Sequence, residues 1–75
     1  MGNVERLDDD HQVIDEFVVA KLLDIEVGIV RGLRRRGLGP EWFRVDGRSP
    51  RYTLGSVKDY IQRMKQRGTQ SESTI

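Results

Sequence analysis

Apolar residues recur along this chain in four stretches, separated by residues that cap helices or make turns. The first is "EFVVAKLL", Glu16 to Leu23, where Val19, Leu22 and Leu23 fall at helical spacing. Asp15 precedes it as a capping residue, and Glu16 places an acid in the first turn, where the helix dipole favours one. The glutamate of a capping box is missing, because Val18 stands at that position. A short break, "DIE", leads into a second helical stretch that runs through Arg36, and Gly37 ends it. At about 100° per residue, Val30, Leu33 and the flanking Ile29 cluster on one side of this second helix. Gly28, Arg31, Gly32 and Arg35 gather on the other. The third stretch, "EWFRVDGRSPRYTL", predicts a β-hairpin, with Asp46-Gly47 as a tight turn and Pro50 confining the return strand to a sheet edge. The fourth predicts a helix over about 55–67, with Val57, Tyr60, Ile61 and Met64 as its core-facing stripe.

The ends lack such periodicity. Residues 1–12 read as a flexible acidic arm, 13–67 as the folded domain and 68–75 as a disordered tail. A chain of 75 residues holds one small domain with a thin core, and without cysteine neither a disulfide nor a thiolate metal site reinforces it. No apolar run approaches the ~20 residues of a membrane span, and the N-terminus has no apolar signal-peptide core. The expected location is therefore the cytoplasm.

Charge changes the picture more than composition does. Residues 1–30 carry eight acids and two bases, a net of −6, whereas residues 31–67 carry eleven bases and three acids, a net of +8. Glu72 restores the total of +1. "RGLRRRGLGP", Arg31 to Pro40, alone holds four arginines, and Arg44, Arg48 and Arg51 decorate the hairpin. Catalysis finds no comparable support. The single histidine, His11, has no second histidine or cysteine to share a metal, Ser49 and Ser56 have no histidine base in reach, and no phosphate-binding glycine loop precedes a helix. No enzyme activity, metal, cofactor or small-molecule ligand is expected.

Helix, tight turn, helix and basic hairpin is the order of a helix-turn-helix with a wing, in which the second helix enters the major groove and the wing reaches flanking phosphates. Two basic elements on one side make a polyanion the expected partner. The glycines of the second helix leave its outer face flat, so that a phosphate backbone can approach closely.

The stretch "VVAKLLDIEVGIVRGLRRRGLGPEWFRVDGRSPRY", Val18 to Tyr52, resembles the MerR-like winged helix-turn-helix of phage excisionases and AlpA-type regulators. Val19, Ala20 and Leu23 match that family's first helix, and Arg34 to Gly37 the end of its second. Gly39 and Pro40 match the break, Gly47 the wing tip, Arg51 and Tyr52 the return strand. Tyr60 and Ile61 stand where the third helix carries an aromatic–aliphatic pair. The family's second helix opens with serine or threonine. Here Glu26, Val27, Gly28 and Ile29 stand instead, leaving a glutamate to cap and readout to Arg31 and apolar contact with thymine methyls.

The expected fold is thus a small α+β winged helix-turn-helix, with three helices and a two-stranded hairpin wing. The expected DNA-facing residues are Val27, Gly28, Arg31, Gly32, Arg34 and Arg35 on the second helix, and Arg44, Arg48 and Arg51 on the wing. The resemblance implies a nucleoid-associated DNA-binding protein of a phage or mobile element, an excisionase that bends attachment-site DNA beside an integrase and further copies of itself. An AlpA/MerR-like transcriptional regulator is the alternative within the family. A terminase-small-subunit-like adaptor and a protein-interaction module, docking through the acidic half, are the alternatives outside it.

Overall fold

Asp15 turns the chain into its first helix. In extended conformation (φ −98°, ψ 177°), it accepts hydrogen bonds at its Oδ1 from the Phe17 and Val18 N–H groups, each at 3.0 Å. A cap of this kind stabilises by about 1 kcal/mol. The computed structural model of the protein describes the backbone of residues 8–73 and the side chains of residues 9–67. Helix α1 spans Glu16–Leu23 and stops at Asp24, which adopts the left-handed conformation (φ 58°, ψ 47°) that aspartate tolerates better than most residues. Three residues later α2 begins, Val27–Arg35. Glu26 precedes it without a side-chain capping bond, contrary to the expectation that it caps. Its carboxylate sits one methylene farther out than the aspartate that succeeds before α1.

Helix α2 ends as Gly37 predicts. Gly37 lies at φ 73°, its N–H bonds Arg34 O at 3.1 Å, and the Leu38 N–H bonds Leu33 O at 2.8 Å. This paired closure satisfies the last carbonyls, and its left-handed residue is one that glycine adopts without strain.

Three antiparallel strands follow the order β1–β3–β2: β1 is Val13–Ile14, β2 Trp42–Arg44 and β3 Pro50–Thr53. The wing therefore carries a third strand beyond the expected two. Val13 pairs with Thr53 and Ile14 with Tyr52. Two residues are too short to show any period in sequence, so β1 exists only through pairing with β3. That makes β3 the central strand, not the edge strand that Pro50 predicts. Pro50 fits because it opens the strand opposite Arg44, beyond the reach of β1. The turn also differs. Strand pairing stops at Arg44–Pro50, so residues 45–49 form the loop, and Asp46 Oδ1 accepts from the Arg48 and Ser49 N–H groups at 2.9 and 3.1 Å. Asp46-Gly47 organises this longer loop from inside, with Gly47 at φ 77°.

Helix α3 leaves β3 without a linker, spanning Leu54–Ser73, and Thr53 Oγ1 accepts from the Ser56 N–H at 3.2 Å. Its helical backbone continues past Arg67, where a disordered tail was expected. Gly68 alone weakens a helix by about 1 kcal/mol relative to alanine but does not end one. At the other end, Asp8–His11 forms a 3₁₀ turn rather than flexible arm. Asp10 reaches Lys58 Nζ at 2.9 Å, and Gln12 O accepts from the Leu54 N–H at 2.9 Å, tying the turn to the start of α3. Residues 1–7 and 74–75, the remainder of the expected arm and tail, lie outside the described residues.

Ile14, Val19, Ala20, Val30, Tyr52 and Val57 form the core, with Leu23, Ile25, Val27, Trp42, Leu54 and Ile61 packed around it. Every element from β1 to α3 contributes. On α3 the stripe fades outward: Val57 is buried, Tyr60 and Ile61 are half-buried, and Met64 is exposed. No helix among the described residues is long and apolar enough to cross a membrane.

Candidate nucleic-acid interface

The arginines divide into two groups, and the division begins with Glu16. Its place in the first turn of α1 brings its carboxylate against α2. Arg31 donates to Glu16 Oε2 from Nε at 3.0 Å and from Nη2 at 2.7 Å, with its guanidinium carbon 5.7 Å from the centre of the Phe17 ring. Arg34 Nη1 lies 3.2 Å from Glu16 Oε1, an atom with no other partner and no hydrogen bond of good geometry. The Arg31 hydrogen bonds hold the Glu16 carboxyl below the ordinary carboxylate range, outweighing the opposing effect of burial, with Arg34 adding to the shift.

Arg34 is held on two further sides. Its Nη1 donates to the Tyr52 hydroxyl at 3.0 Å, and its guanidinium lies 5.7 Å from the Trp42 ring centre. Only 16% of its side chain is exposed. The expectation that Arg34 faces DNA is therefore corrected: it cements α2 to α1 and the sheet. Arg31 is corrected in part. It stays on the outer side of α2, 43% exposed, but its donors are engaged by Glu16 rather than free for base edges. Val27 is corrected as well, since it packs against the core and offers little to a thymine methyl.

Gly28 and Gly32 lie where the sequence places them. A Cβ built on either meets no atom within 4 Å, so both leave open space on the outer face of α2. Arg35 and Arg36 are exposed at the end of the helix, and Arg36 Nε bonds Gly32 O at 3.3 Å. Arg36 joins the candidate set, although the helical wheel does not place it with Arg31 and Arg35.

On the wing, Arg44 also lies over Trp42, 4.6 Å from the ring centre, and its Nε bonds Arg48 O at 3.3 Å. Trp42 thus contacts Arg34 from α2 and Arg44 from the wing, making it the joint between the two basic elements. Such contacts contribute roughly 0.5–1 kcal/mol at exposed sites. Arg48 is exposed on the organised loop, while Arg51 is half-buried, bonding Pro50 O through Nη1 at 2.9 Å. Among the described residues, no carboxylate is within ion-pair distance of Arg35, Arg36, Arg44, Arg48 or Arg51, whereas Lys58 and Arg63 are paired with Asp10 and Asp59.

Sequence reasoning missed Glu16 and Trp42. The pairing of Glu16 with Arg31 spans 15 residues and has no local signature. Trp42 carried a signal, an aromatic with arginine two places on, but that pattern fits an ordinary strand equally well. No group of three or more histidine, cysteine or acidic side chains with metal-binding geometry occurs among the described residues. No family model, curated protein or solved structure matches this chain.

Proposed function

We propose that this is a non-enzymatic DNA-binding protein that lays α2 and the β2–β3 wing along one duplex. The observation that carries the reading is the set Arg35, Arg36, Arg44, Arg48 and Arg51, exposed or half-buried with no carboxylate within ion-pair distance among the described residues, while Glu16 is engaged by Arg31 and Arg34. Arginines in such a set contact phosphates and release counterions, and this supplies affinity that falls steeply with salt. The open face at Gly28 and Gly32 admits a backbone closely. The finer reading is an excisionase-like factor of a mobile element, cytoplasmic and nucleoid-associated, that binds and bends DNA in adjacent copies with an integrase as partner. It rests on the family resemblance alone.

Titrating a fluorescent duplex with the protein at several salt concentrations tests the coarser reading. Tight, salt-dependent binding supports it, and absence of binding at low salt rejects it. Selection of bound sequences from a random pool, followed by a bending assay on the winner, tests the finer one.

A further inference from the structure

Glu16 is the one carboxylate among the described residues that meets two arginines of α2, and it holds them unequally. Arg34 is anchored by the Tyr52 hydroxyl and the Trp42 ring, and its side chain is almost covered. Arg31 has only the carboxylate and the ring of an exposed Phe17, and 43% of its side chain remains in solvent. Nε and Nη2 of Arg31 are both taken up by one acidic oxygen, and the same two donors are the ones that form the parallel pair of bonds by which a guanidinium grips a phosphate. Arg31 leans outward beside Gly28 and Gly32, where no side chain stands in the way of an approaching backbone.

We propose that Glu16 is an internal stand-in for a DNA phosphate: it occupies the Arg31 fork in the free protein and yields it to the duplex on binding. This rests on the reading of the α2–wing face as a DNA surface. The exchange needs only a side-chain rotation. Once Arg31 leaves, Arg34 remains 3.2 Å from Glu16, so the half-buried carboxylate keeps a cation and the α1–α2 contact survives. Glu16 therefore holds the affinity of the face below what its arginines would otherwise give. It also makes one phosphate contact conditional on a duplex close enough to compete.

A double-mutant cycle on the full chain tests this, using a short fluorescent duplex of mixed sequence and the wild type, Glu16→Gln, Arg31→Ala and the double variant. Breaking a half-exposed ion pair corresponds to roughly two- to fivefold in affinity, so Glu16→Gln is expected to tighten binding by that factor. Arg31→Ala is expected to weaken binding and to flatten the salt slope by about one unit. In the Arg31→Ala background, Glu16→Gln is expected to change nothing. Equal tightening in both backgrounds would reduce Glu16 to a simple repulsive charge and overturn the proposal. Weaker binding by Glu16→Gln would also overturn it, since the clasp would then be holding Arg31 in its binding pose.

Arginine side-chain NMR on the wild type gives a readout that no folding defect can confuse. The Arg31 Nε–H resonance should move on adding duplex while that of Arg34 stays. Movement of neither, with binding established by anisotropy, contradicts the exchange. Failure of the wild type to bind any duplex at low salt rejects the DNA reading itself, and the exchange with it.

Discussion

Arg34 follows Val30 by four residues and Val27 by seven, so it shares their inward face of α2. A charged residue can sit there because its guanidinium meets Glu16, Tyr52 and Trp42, and its buried donors are not left bare. The pair has a pH signature. Glu16 titrates below its ordinary value near 4.5, so its contribution to stability is complete above that value and is lost as the pH falls through the lowered one. Asp46, also lowered by the Arg48 and Ser49 N–H groups, acts in the same direction. Thermal melts should show the wild type losing stability below about pH 4.5, and Glu16→Gln should lose less over the same range. A variant with the same acid-side fall as the wild type would remove Glu16 from the explanation. The helix glycines give a second residue-scale test. With open space at both positions, Gly28→Ala and Gly32→Ala should each stabilise α2 by about 1 kcal/mol. If the flat face meets DNA, the same substitutions should weaken binding while raising the melting temperature. Higher stability with unchanged binding would show that nothing approaches that face.

At the scale of elements, α1, α2 and the break between them were legible because each boundary has a local cause: the Asp15 cap, the Asp24-Ile25-Glu26 turn and Gly37. The wing was half legible. Its aromatic strand and its glycine are read from sequence, but the loop length is set by where pairing ends and by the reach of the Asp46 carboxylate. Strand β1 and the 3₁₀ turn were not legible, because both depend on partners roughly forty residues away in sequence. Gly55 records that long-range contact. A Cβ there would stand 2.8 Å from Asp10 O, too close without movement of the turn. Gly55→Ala should therefore destabilise by about 1–3 kcal/mol despite the better helix propensity of alanine. For a domain of this size that corresponds to a melting temperature lower by about 5 °C or more. A calorimetric scan showing equal or higher stability would mean that the turn does not pack on α3 in solution.

For the whole molecule, the division of charge along the sequence does not become two opposed faces. Folding spends part of the acidic half on the basic half, through Glu16 with Arg31 and Arg34 and through Asp10 with Lys58. Arg35 and Arg36 sit at the end of α2 and Arg44, Arg48 and Arg51 on the wing, and Trp42 joins the two elements. The site was thus legible as a region but not as an allocation of residues. Which arginine serves the fold and which the surface follows from tertiary contacts alone. The most direct measurement is the salt dependence of duplex binding for the wild type and for Arg44→Ala/Arg48→Ala. Five arginines on phosphates, with Arg31 a sixth once Glu16 releases it, predict that the logarithm of the binding constant falls against the logarithm of salt with a slope of about −4.5 to −5.5, and removal of two should flatten it by about two. No binding at low salt, or a slope that the wing substitutions leave unchanged, would contradict a DNA surface built from α2 and the wing.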